Sequence, residues 1–85
     1  MKLKLQDEFE TVEKAFKKEF VRIKKYAREL KESGDYNDFE RRLTFDCLRA
    51  FIGVKTMCNW YYKYDCNDNH IYALGRKVLK EMKII

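Results

Sequence analysis

From Leu5 to Leu30, the apolar residues Leu5, Phe9, Val12, Phe16, Phe20, Ile23, Ala27 and Leu30 recur at steps of 4, 3, 4, 4, 3, 4 and 3. A strand would scatter this series over both of its faces, whereas a helix gathers it onto one stripe. The segment can therefore bury its large side chains only as a helix, predicted here over residues 5–33. One step of four interrupts the strict heptad and would locally unwind a supercoil, so a globular bundle fits better than a long coiled coil. Glu10 with Lys14 and Glu13 with Lys17 have the order and spacing of favourable pairs on an exposed face. Gly34 then supplies the left-handed residue that commonly closes a helix.

The rest of the chain repeats the pattern. With no proline and only 3 glycines, little can divide it into strands and turns. A second helix is predicted over 36–64, with Asn37 and Glu40 in the positions of a capping box. A third is predicted over 69–83, capped by Asp68 or Asn69 after the Asp/Asn-rich turn 65–69. Its apolar positions are Ile71, Leu74, Val78, Met82 and Ile85. The expected fold is all-α: one domain over 1–85, with helices one and two forming an antiparallel hairpin and a shorter third helix completing a small three-helix bundle.

Read as one continuous helix, the second segment is apolar on two sides. Phe39, Leu43, Cys47, Ala50, Phe51, Val54, Met57, Cys58 and Tyr61 share a broad stripe, while Phe45, Leu48 and Ile52 lie nearly opposite. One neighbouring helix covers one stripe. The short turn 65–69 makes it awkward for helix three to reach the other, so a homodimer through Phe45, Leu48 and Ile52 is expected. Gly53 is the weak point of this helix.

The net charge of +5 is arranged in blocks. Lys14, Lys17, Lys18, Arg22, Lys24, Lys25 and Arg28 face a single intervening acid, Glu19, and the sign reverses over 29–40. Lys14, Lys17, Lys18, Arg22, Lys25 and Arg28 are the candidate surface for an acidic partner, either nucleic acid or an acidic protein. Trp60, Tyr62 and Tyr64 are candidate aromatic contacts, because Trp and Tyr recur at binding hot spots and can stack on bases. Leu48 to Lys63 partly resembles a helix-turn-helix: Ile52, Gly53 and Val54 match its turn, while Arg49 and Asn59 depart from its small and apolar positions. That resemblance implies a DNA-binding module with Gly53 to Lys63 as turn and recognition helix.

Other chemistries find little support. Cys47 and Cys58 are eleven residues apart, about 16 Å along a straight helix, too far to share an ion. Cys66 and His70 supply only two ligands, so no metal and no cofactor is expected. Asp65, Asn67 and Asn69 begin like a calcium loop, but His70 replaces its glycine and Arg76 its terminal glutamate. The single histidine and few hydroxyl residues assemble no nucleophile and base, so no enzymatic activity or small-molecule substrate is expected. Three cysteines cannot all pair, and no apolar run follows the N-terminal lysines. The expected setting is cytoplasmic, with no membrane span, or the host cytoplasm for a protein of a mobile element or virus. A small non-catalytic interaction or regulatory protein is the leading expectation. A DNA-binding module and a structural homo-oligomeric adaptor are the alternatives.

Overall fold

The computed structural model describes residues 4–34 and 38–85, and the predicted Asn37 cap lies outside them. All regular structure among these residues is helical. A 3-10 turn, Leu5–Glu8, leads into α1 (Phe9–Lys18), α2 (Phe20–Glu32), α3 (Phe39–Phe51), α4 (Val54–Lys63) and α5 (Asp68–Glu81). Two of the three predicted helices are thus each divided in two, and the three-helix description gives way to five.

Helix one breaks at Glu19, whose backbone leaves the helical region at φ −110°, ψ 26°. Its N–H bonds back to the Phe16 carbonyl at 3.0 Å, and its own carbonyl accepts from Ile23 at 2.9 Å, so the next helix starts at once. The break falls at the Phe16-to-Phe20 step, where the heptad spacing is interrupted. Phe16 is fully buried, whereas Phe20 moves off the seam, 38% exposed, with the Lys24 ammonium 5.7 Å from its ring centre. Gly34, at φ 85°, stands in the left-handed region expected of a closing glycine.

Helix two breaks at Gly53, at φ 104° and ψ 143°, a conformation that strains any residue bearing a Cβ. Ile52 and Gly53 both donate to the Leu48 carbonyl at 2.9 Å, closing α3, while the Gly53 carbonyl accepts from Met57 at 3.1 Å, opening α4. One residue therefore ends one helix and starts the next. The stripes drawn on a continuous helix lose their common phase here. Met57 and Trp60 alone give α4 its buried face, and Val54, nominally on the main stripe, is 58% exposed.

Helix three does reach the second face of helix two, against the expectation that the short turn 65–69 makes this awkward. α5 lies across α3, made possible by Gly75: a Cβ there would sit 2.6 Å from Thr44 Cγ2 and 3.1 Å from Leu48 Cδ1. Leu48 and Thr44 are fully buried as a result, and the Thr44 hydroxyl is satisfied by donating to the Glu40 carbonyl at 2.7 Å. Arg76 bonds Glu40 at 3.0 Å along the same seam. The cap of α5 is Asn67, one residue before the predicted pair: its side chain accepts from the His70 N–H at 3.1 Å, and His70 Nδ1 accepts from the Asn67 N–H at 3.1 Å.

The two glycines fail differently when substituted. Gly75→Ala should lower stability by about 1 to 3 kcal/mol, because the new methyl meets packed side chains. Gly53→Ala has open space around its Cβ, yet should lose about 1 to 2 kcal/mol through backbone strain alone. Urea denaturation followed by circular dichroism measures both, and a second substitution, Thr44→Ser, should offset part of the Gly75→Ala loss but none of the Gly53→Ala loss.

Candidate nucleic-acid interface

The basic block is divided by the Glu19 break into two helices, and its members have different surroundings. Lys14 and Lys18 on α1 and Arg22 on α2 line one shallow concavity, together with Thr11, Ala15, Ala50, Phe51 and one carboxylate, Glu19. Its apolar wall is Phe51, the last residue of α3, whose ring meets Phe16 edge-on at 6.5 Å and carries the Arg22 guanidinium 5.7 Å above it. Arg22 also pairs with Glu19 at 3.3 Å. Among the described residues Lys14 and Lys18 have no ion-pair partner, so their charge is presented to solvent. Glu13 pairs with Lys17 at 3.7 Å, which draws Lys17 away from the row, and no Glu10–Lys14 pair accompanies it. Lys25 and Arg28 are exposed on α2 and do not line the concavity.

The predicted self-association residues are covered within the chain to different degrees. Leu48 is in the core. Phe45 stacks on Tyr72 of α5 at 6.1 Å and an interplanar angle of 21°, and the guanidinium groups of Arg41 and Arg49 stand 5.1 and 5.7 Å from its ring centre. Ile52 is partly buried against the same core. Within the single chain Leu48 is thus fully buried, while Phe45 and Ile52 are partly covered.

The aromatic run is divided as well. Trp60 belongs to the core at 2% exposure, so it is closed to a partner. Tyr64 donates to Glu8, and Tyr61 donates to Asp68. The bond to Asp68 holds Tyr61 in its neutral form and pushes its hydroxyl up to about 12. Tyr62 remains, 89% exposed.

These contacts fix the course of α4. It begins three residues after Phe51, whose ring lies beside Phe16 and Arg22, and ends where Lys63 approaches Glu8 at 4.0 Å and Tyr64 bonds the same carboxylate. α4 therefore leads from the Phe16 side of the molecule back toward Glu8, the residue just before α1, while packing mainly on α3. With Met57 and Trp60 inward, Lys55, Asn59 and Tyr62 point outward, flanked by Thr56, Cys58 and Lys63, all exposed. Each of the other four helices carries acidic residues; α4 carries none. The charge counts over the basic block passed over this helix, although the absence of Asp and Glu from 54–63 was visible in the sequence.

The remaining candidate side chains are engaged elsewhere. His70 serves the cap of α5, and Cys66 donates to the Trp60 carbonyl at 3.4 Å. Among the described residues no three His, Cys, Asp or Glu side chains are grouped to hold a metal ion, and no helix is long and apolar enough to cross a membrane. Burial pushes the Cys47 thiol up to about 12, while Cys58 is exposed on α4. A thiol-reactive probe at mildly alkaline pH should therefore modify Cys58 first and Cys47 only after unfolding. Mass spectrometry of peptides over time measures the order, and early labelling of Cys47 would contradict this packing. No protein family, curated protein or solved structure compared with this chain matches it, so its function has to be read from the geometry above.

Proposed function

We propose that this protein is a small non-catalytic binding module that engages an acidic partner through the basic face of its first two helices. The observation that carries this reading is the convergence of Lys14, Lys18 and Arg22 on one concavity, two of them without an ion-pair partner among the described residues. Unpaired cations at helical spacing match a row of phosphates or carboxylates, and binding releases the counterions condensed on such a partner. Arg22, held over Phe51, is the member whose position is best defined, while Lys14 and Lys18 keep the freedom to follow the partner.

The helix-turn-helix alternative gains support from one specific feature. Gly53 separates α3 from α4 at the position where the sequence resemblance puts the turn, and α4 offers exposed polar residues. A homo-oligomeric adaptor receives less support, because α5 covers the apolar face on which that reading was built.

Titration of a short mixed-sequence DNA duplex and of poly-glutamate across salt concentrations, followed by fluorescence anisotropy, tests the reading. The wild-type protein should bind at least one of these polyanions with an affinity that falls as salt rises. Lys14→Glu combined with Lys18→Glu should weaken binding by about tenfold or more. Failure of the wild type to bind either probe at low salt, or a charge-reversed variant that binds equally well, would overturn it.

A further inference from the structure

The geometry points to duplex nucleic acid as the acidic partner, with α4 lying in its major groove and the Lys14, Lys18, Arg22 row on the adjoining phosphates. This inference rests on the polyanion reading above and names both the partner and the helix that reads it. Three observations carry it.

The first is the chemistry of the exposed face. Lys55, Thr56, Asn59, Tyr62 and Lys63 supply ammonium, hydroxyl and amide groups, the donors and acceptors that meet base edges and phosphates, with no carboxylate among them on α4. Lysine finds acceptors on guanine, and asparagine can bond adenine through both its amide atoms. An acidic protein surface would use the lysines but leave the Asn59 amide without a defined role. Lys55 has no ion-pair partner among the described residues.

The second is shape. A helix of ten residues is about 15 Å long, and the major groove of B-form DNA, about 12 Å wide, admits one helix. Gly53 turns α4 away from the axis of α3, and only its Met57 and Trp60 side are anchored in the core. The outward face is therefore free along its length while the helix itself is held at both ends, by Phe51 on Phe16 and by Tyr64 on Glu8.

The third is placement. The concavity bearing Lys14, Lys18 and Arg22 is walled by Phe51, three residues before α4 begins. A phosphate strand bordering the groove that holds α4 would meet those cations beside its N-terminal end, while Lys63 at the other end is already paired with Glu8. Single-stranded nucleic acid fits less well. Its sequence-tolerant binding uses rows of open rings, and in the 60–64 run Trp60 is buried while Tyr61 and Tyr64 are tied to carboxylates, leaving Tyr62.

Selection from a randomised duplex library, followed by sequencing, tests the assignment. Wild-type protein should enrich a short motif. Lys55→Ala with Asn59→Ala should lose about tenfold discrimination at one or two positions of that motif while keeping salt-dependent binding to unrelated duplex. Lys14→Ala with Lys18→Ala should weaken every sequence alike and leave the motif in place. Asn59→Asp, which adds a carboxylate to the acid-free face, should weaken duplex binding about tenfold, and both altered α4 residues are exposed, so circular dichroism should show an unchanged fold. A protein that binds duplex through the basic row without a motif, or whose motif survives both α4 variants, overturns this inference and leaves the broader reading standing. Preference for a single strand or for poly-glutamate overturns it too, and a protein that binds no polyanion overturns both.

Discussion

The close approach of α5 to α3 at Gly75 organises the rest of the molecule. Without a Cβ at that position, Thr44 and Leu48 can press directly onto the α5 backbone, and Ile71, Val78 and Leu79, about one helical turn to either side of Gly75, are buried in the same core. A single small residue thus decides whether the second apolar face of α3 is covered from within. Once it is, Phe45 finds a ring partner in Tyr72, and Arg76 reaches Glu40. Hydrophobic burial supplies the driving force, while Gly75 supplies the geometry that lets it be realised in one chain.

The consequences reach the candidate interface. Because α5 takes the place beside α3, α4 is left at the edge of the bundle, anchored by Met57 and Trp60 and tied down at Tyr61 and Tyr64. Gly53 permits this by allowing two helices to meet across one residue with positive φ. The same break that spoils a continuous helix produces a short helix with a free, acid-free outer face. Stability and interaction surface are therefore set by two glycines with opposite duties, one allowing contact and the other a change of direction.

Much of the fold was legible in sequence because apolar spacing reports burial directly: Val12, Phe16, Ile23, Ala27 and Leu30 are all in the core, as are Ile71, Leu74, Val78 and Met82. The breaks were harder to read. Glu19 is an ordinary helix former, and its departure shows only as an irregular step in the apolar pattern. Gly53 was visible as a weak point, but a lone glycine inside a helical pattern is tolerated often enough that composition cannot say whether the chain turns there. The partial helix-turn-helix pattern placed a turn at the right residue while leaving its functional meaning open. Of the basic block, helical spacing puts Lys14, Lys18, Arg22 and Lys25 on one side with Lys17, Lys24 and Arg28 flanking them, but gives no reason to separate Lys25 from the other three, which alone line the concavity.

By itself, the sequence determined the helical class, most of the core and the presence of a basic face, because these follow from periodicity and charge along a chain whose local geometry is nearly fixed by being helical. Tertiary structure decided which apolar faces meet, and hence that Leu48 and Trp60 are interior while Tyr62 and the outer side of α4 remain open. The reason is that burial is a property of pairs of elements. No residue's own neighbours in sequence specify that the absent side chain of Gly75 will let α5 settle onto α3, and it is that remote contact which leaves α4 facing outward.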